Sequence, residues 1–547
     1  LNDTVLTTNA GLQVLDYAAV LFYLVLTFGI AVWFGRRQKN TEDFFVGGRR
    51  MPWMAVGLSI LATLFSTLSY VGVPGEMIRH GAALFLGYLA VPLSFFVIAF
   101  LFIPFYMRLH LTSAYEYLER RFSYPVRLLG AALFVMLRLG WMSMVVFAAS
   151  MGLEQVIGGD LEWLPGPDIF WWIGVVGVVA AVYTAIGGIQ AVIWVDVIQC
   201  VLLLAGVLMA IGYVVMVDRT GPADWWRIAS SNASTTHAMP PLFSFDLTVR
   251  NTVLWTMTNV FFWSICTHGA DQVVLQRYFS TSSLRSARRS YLTNIIVELT
   301  MISLASLAGL ALLAFYLQRV YLLPEGATAT GMADKLFPFF LGHQLPAGCA
   351  GLIISAFLCD AIQTLESGVN AATAVATKDL IYHRAEKSTV RKESRPVEAS
   401  STAQLTVARF LTVGITAFVT GTAYGVAYIQ RTYGLSLVDM MPKFFNMFVG
   451  PLAAMFFVGM FLPRCTTRSV FPAALCGLAI SVVWSWWEYI FRTETRPTIF
   501  LSVALPCVST FVIAALLSLI VDRSGRHSGS NYTWRAVVKG EPPSKLA

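Results

Sequence analysis

Thirteen stretches of this 547-residue chain are apolar over a length that crosses a bilayer: about 15–35, 53–72, 82–106, 126–157, 170–188, 190–217, 249–270, 291–317, 347–377, 405–428, 438–462, 469–490 and 499–522. With 57% hydrophobic and 12% charged residues and a mean hydropathy of +0.67, the chain is excluded as a soluble globular protein and reads as an all-α polytopic membrane protein. The two sizeable polar stretches between spans, 218–248 and 378–404, are too short to form a domain.

Arginine and lysine gather in alternate loops: Arg36, Arg37 and Arg49 after the first span, Arg120 and Arg121 after the third, Arg277, Arg285 and Arg288 after the seventh. The segment 378–404 continues the alternation, and the loop holding Glu154, Asp160 and Glu162 is acidic and falls on the opposite side. An odd span count with the N-terminus outside and the C-terminus cytoplasmic satisfies this pattern, and a bacterial inner membrane is the expected home. The net charge of +8 follows from loop topology, and the basic soluble domain that nucleic-acid binding would need is absent. Residues 1–16 are uncharged to acidic, so the first apolar run is expected to be a permanent span rather than a cleaved signal.

The stretch Gly351–Thr377 carries Asp360, Gln363, Thr364, Glu366 and Ser367 at its centre. At helical spacing these residues and Asn370 fall in one arc of about 160°, with Phe357, Leu358, Ala361, Ile362 and Leu365 opposite. An ionised carboxylate facing lipid costs about 2.5–3.5 kcal/mol on the mild insertion scale, so intramembrane acids mark an ion or substrate path. A salt-bridged structural cluster is the other reading. The seven cysteines and seven histidines form no C-x-x-C, H-E-x-x-H or similar spacing, and no glycine-rich phosphate loop follows a strand; no cofactor and no enzymatic chemistry is expected.

The second span, Gly57 to Glu76, crowds Ser59, Thr63, Ser66, Thr67 and Ser69 at mid-membrane, with Pro74 and Gly75 just beyond. Such a helix is expected to be broken, because freed backbone groups are tolerated where they line a cavity. A close helix-packing face is an equal reading of the small residues. The wording decides: Asp43-Phe-Phe-Val-Gly47-Gly48-Arg49, Leu111-Thr-Ser113-Ala-Tyr115-Glu116, Tyr183-Thr184-Ala-Ile-Gly187-Gly188 through Trp194, Asp196 and Gln199, Gln272 with Gln276-Arg277-Tyr278, and Gly450-Pro451 resemble the solute:sodium symporter family. The resemblance spans about 15–522 and is nearest the branch carrying monocarboxylates, vitamins and inorganic anions.

The resemblance implies a LeuT-type fold of 5+5 inverted repeats, with about 13 transmembrane helices in all. The repeats would be 53–217 and 249–462, with 1–52 an extra span and cytoplasmic loop, 469–522 two accessory spans and 523–547 a cytoplasmic tail. It places a sodium ion between the main-chain oxygens of Ala62 and Phe65 and the side chains of Gln363 and Thr364. Gln363 stands where the family has a serine. Asp360 and Glu366 replace small residues, and Asp271 replaces an asparagine. Asp196, Asp360, Glu366 and Ser367 then form a second cation or proton path. Sodium coupling with altered ligands, proton coupling through Asp360 or Glu366, and an uncoupled site all stay open. The substrate cavity would be bounded by Ser66, Ser69, Tyr88, Arg138, Ser264 and His268, although a lone histidine is more often a packing residue and the two serines could instead cap freed backbone groups. Trp141, Trp255, Trp263 and Phe262 are gates on one reading and packing or interface residues on the commoner one. Arg138 would bind a substrate carboxylate or pair with Glu366 or Asp360. The expected partners are therefore a small anionic solute, sodium and the bilayer. A non-transporting sensor with a separate signalling partner is the alternative on the same scaffold.

Overall fold

The computed structural model describes residues 12–35, 47–109, 111, 113–157, 168–184, 189–231, 244–375, 398–493, 495–522 and 528–540. Gly187, Gly188 and the basic stretch 378–397 lie outside them. Its main helices are α1 (Val14–Gly35), α2 (Trp53–Leu64), α3 (Thr67–His80), α4 (Ala83–Leu109), α5 (Ala114–Arg121), α6 (Tyr124–Ile157), α7 (Asp168–Thr184), α8 (Ile189–Asp218) and α9 (Val253–Ala270). They continue as α10 (Gln272–Phe279), α11 (Leu284–Gln318), α12 (Ala333–His343), α13 (Cys349–Val375), α14 (Glu398–Tyr433), α15 (Leu437–Phe461), α16 (Thr467–Ser485), α17 (Ala504–Val521) and α18 (Trp534–Lys539). Among the described residues no strand forms, and the β-pairing is a single isolated bridge between Met51 and Thr281.

Among the described residues nine helices are long and apolar enough to span, or ten with the bent pair α2 and α3 taken as one. The other three expected spans are also helical, as α7, α9 and α14, but fall outside that set: α7 has 17 residues, and α9 carries Thr256, Thr258, Asn259, Ser264, Thr267 and His268. Thirteen is therefore not reached by length and hydropathy alone.

The second span is broken, with a bend of 64° between α2 and α3. The break falls at Phe65 and Ser66, not at Pro74 and Gly75, which lie inside α3. Pro74 is accommodated because α11 closes on it: a Cβ on Gly309 would stand 2.6 Å from the Pro74 carbonyl oxygen. Gly57 does the same for α2, where a Cβ would meet Ser290 O at 2.6 Å, so α11 lies against both halves of the broken helix. A second break separates α9 from α10 at Asp271, whose side chain caps α10 by accepting from Val273 N.

Helix α13 packs on α1, α6, α7 and α8, and 89% of its most apolar stretch is buried, against 12% for the peripheral α1. Both the polar arc and the apolar side of α13 therefore meet protein. Asp16 fixes α1 in place by accepting from Gly348 N and Gly351 N at the start of α13. At the other end of the chain, α18 docks on the end of α4, with Trp534 Nε1 donating to Leu101 O and Arg108 donating to Val537 O and Val538 O.

Candidate functional site

A helix end leaves its last carbonyls and first amides without partners. At the break between α2 and α3 the amides are met from α13: Asp360 Oδ2 accepts from the backbone N and the hydroxyl of Thr67, the latter at 2.6 Å. Asp360 Oδ1 accepts from Gln199 Nε2 of α8. Gln363 and Thr364, one turn on from Asp360, share the face of α13 that Asp360 turns to the break. Both are buried, and neither polar atom of the Gln363 amide has a hydrogen-bond partner. The carbonyls at the end of α2, Ala62 among them, are the complementary set.

Beside the break lies a cavity of about 100 Å³. Phe65, Ser66, Ser69 and Tyr88 line it, as do Trp141 and Trp263, whose rings stack at 5.5 Å with an interplanar angle of 20°. Glu298 of α11, Asn259 of α9 and Asn446 of α15 complete its polar wall. Asn446 belongs to a π-turn, Pro442–Asn446, that widens α15 at the cavity. Three buried lining atoms have no partner: Ser66 Oγ, Trp141 Nε1 and Asn446 Oδ1. A buried polar atom without a partner is costly, which makes these three the groups a polar solute would satisfy.

Half of the expected substrate residues stand elsewhere. Arg138 is buried, does not line the cavity, and pairs with Asp271 at the α9–α10 break, not with Glu366 or Asp360. Its guanidinium carbon lies 5.3 Å from the Trp141 ring centre, so Trp141 is what the cavity meets there. Ser264 donates back to Val260 O at 2.9 Å, and His268 bonds Tyr278 OH at 2.6 Å across the break. Neither lines the cavity, and neither do Trp255 and Phe262. Asp196 is engaged by Ser59 Oγ at 2.5 Å and Arg277 Nη2 at 3.0 Å, a buried triad joining α8, α2 and α10. Ser367 is half-buried and donates weakly to Thr364 O at 3.4 Å; Glu366 is buried with Oε1 unpartnered.

Glu298, Asn259 and Asn446 were missed by sequence reasoning. Glu298 had a signal: it is an acid inside an apolar span, the feature that marked Gly351–Thr377. At the rim of the cavity a further group has no sequence signal. Arg250 binds Glu76 of α3 through two nitrogens, at 2.6 and 3.2 Å, and Asp439 of α15 at 3.0 and 3.1 Å. Arg496 also reaches Asp439, at 3.3 Å. The Arg250 guanidinium lies 5.7 Å from the ring centre of Phe500, a lining residue, so Phe500 stands between this clasp and the cavity.

The profile of the "Sodium:solute symporter family" matches residues 44–477. The sodium/sialic acid symporter of Aliivibrio fischeri is 30% identical over 473 residues, covering 86% of this chain and 87% of that protein. The human sodium/iodide cotransporter is 30% identical over 475 residues, covering 85% and 69%. The solved substrate-bound, outward-open structure of a Na+-coupled sialic acid symporter superposes with a TM-score of 0.76 at 24% identity, covering 94% of this chain and 99% of that one.

Proposed function

This chain belongs to the sodium:solute symporter family, and we propose that it carries a small organic solute through a membrane with sodium, by alternating access around the cavity at the α2–α3 break. Membership supports sodium-coupled symport of an organic solute by a multi-pass membrane protein of LeuT-type fold, and it places the chain among transporters rather than enzymes. The repeats are read as 53–217 and 249–462 because each opens on a broken helix, and the N-terminus is read as outside from the loop charges.

The observation that carries the ion reading is the Gln363 amide: buried, unpartnered, and one turn from the carboxylate that holds the break. A hard cation needs several oxygens, and the Gln363 and Thr364 side chains with the carbonyls of Ala62 and Phe65 supply that set. Ser66, Ser69 and Tyr88 are assigned to the solute. The two relatives described above are named for anions, but this cavity's lining holds no cationic side chain to receive one. A carboxylate substrate, expected on the strength of Arg138, is accordingly not part of the proposal.

The test is thermal unfolding of the purified protein in sodium against potassium at equal ionic strength. A sodium-specific rise in Tm that Gln363→Leu abolishes supports the reading. Identical curves in the two salts, with a response to pH alone, would move coupling to a proton and refute it.

A further inference from the structure

The cavity has one formally charged side chain, and it is negative. Glu298 sits at the middle of α11, whose inward face is drawn by the buried Tyr291, Asn294, Ile295, Met301 and Ile302 at helical spacing on either side of it. Because Glu298 shares that face and lines the cavity, its remaining exposure is to the cavity rather than to lipid. Asn294 Nδ2 donates to Oε2 at 3.2 Å. Among the described residues no lysine, arginine or histidine pairs with it. A carboxylate held at membrane depth without a counter-charge is costly, and a cation entering the cavity offsets that cost.

The rest of the wall suits an organic cation better than a bare metal ion. Phe65, Tyr88, Trp141, Trp263, Phe445 and Phe500 give the cavity an aromatic lining, and aromatic faces attract ammonium groups through the ring quadrupole. A small metal cation instead demands a shell of oxygens. Ser66 Oγ, Trp141 Nε1 and Asn446 Oδ1 remain for an uncharged hydroxyl or carbonyl elsewhere on the solute.

We infer that the cavity takes a small organic solute bearing an ammonium group, with Glu298 as its counter-charge and the aromatic walls enclosing its carbon surface. The inference rests on the reading of this cavity as the solute site, and it sets this chain apart from the anion-named relatives.

Four probes differing in charge test it on the full-length purified protein in sodium: choline, ethanolamine, 3,3-dimethylbutan-1-ol as the neutral isostere of choline, and propionate. Choline or ethanolamine is expected to raise Tm, while the alcohol and propionate leave it unchanged. Glu298→Gln is expected to weaken binding of the ammonium probe at least about tenfold, with Glu298→Asp intermediate. Stabilisation by propionate or the alcohol in place of both ammonium probes overturns the inference, as does failure of both ammonium probes to stabilise, or unchanged ammonium affinity in Glu298→Gln. The ranking of probes by the wild-type protein decides the matter if neither variant folds. Absence of any sodium effect on the wild-type protein would instead count against symport, so the two failures are told apart.

Discussion

Asp360 caps a helix to which it does not belong. Its Oδ2 meets the amide and hydroxyl of Thr67, the first residue of α3, so that a carboxylate from α13 sits on the positive end of the 14-residue helix beyond the break. With Gln199 on its other oxygen, Asp360 joins α3, α8 and α13 at one point. The Thr67 amide and the Gln199 side-chain nitrogen can only donate, which makes this carboxylate an acceptor by construction.

Asp360→Asn is therefore expected to fold, because asparagine keeps one oxygen for Thr67 and Gln199 can turn its unpartnered oxygen to the new amide. The loss is about 1–2 kcal/mol, against about 3 kcal/mol or more for Asp360→Ala, which removes every acceptor. Sodium-driven uptake in proteoliposomes should survive in Asp360→Asn. Its disappearance, with uptake in the parent protein following a proton gradient, would assign the coupling proton to this residue.

Arg138→Gln leaves the buried Asp271 charge without its partner, a change that costs about 3–5 kcal/mol. The single variant should melt far below the parent, and Arg138→Gln combined with Asp271→Asn should recover much of the difference. A single variant that melts normally but no longer binds solute would return Arg138 to substrate recognition.

For Gln363 the two substitutions should diverge. Gln363→Leu removes the free amide oxygen and should raise the sodium concentration for half-maximal stabilisation at least about tenfold, equivalent to about 1.4 kcal/mol. Gln363→Ser keeps an oxygen and should stay within about threefold of the parent. Equal sodium dependence in all three proteins would place the ion elsewhere.

Asp334 of α12, outside the spanning helices, gives a pH signature. Burial raises its pKa from the ordinary 3.8 to about 6, opposed by Arg79 at 3.4 Å and by the Leu437 amide. With the folded value above the unfolded one, the native state holds this proton where the unfolded chain has released it. The stabilisation is complete below the unfolded value and is lost as pH rises to about 6, in total about 3 kcal/mol. Asp334→Asn should flatten that part of the Tm profile between about pH 4 and pH 6.5; an unchanged slope would trace it to other groups.

The broken second span was legible because its hydroxyls and small residues have no reason to lie in lipid. Family wording put the freed carbonyls at Ala62 and Phe65, and the chain opens at Phe65 and Ser66; the cap was not legible, because Asp360 supplies it from nearly three hundred residues away. Arg138 was visible as a cation too deep to reach water, but its partner was mistaken because a pairing across 133 residues leaves no local trace. Ser66, Ser69 and Tyr88 were placed at the cavity by family wording. Asn446 and Phe500 reach it through a π-turn and an accessory segment, and no periodicity encodes either. Glu298 carries the same signal as the denser cluster at 360–367, an acid inside an apolar span, but stands alone in its stretch.

The Arg250 clasp ties α3 to α15 behind Phe500, and if the cavity opens on that side its contacts are traded for water before a solute passes. Passage is thereby tied to a waiting time. The contact holds a solute in as firmly as it keeps one out, so loosening it speeds arrival and escape together and leaves the equilibrium occupancy of a fixed cavity nearly untouched. Ionic strength, which weakens such pairs as they come into water, should act on the pace of the cycle more than on its preference for one solute over another.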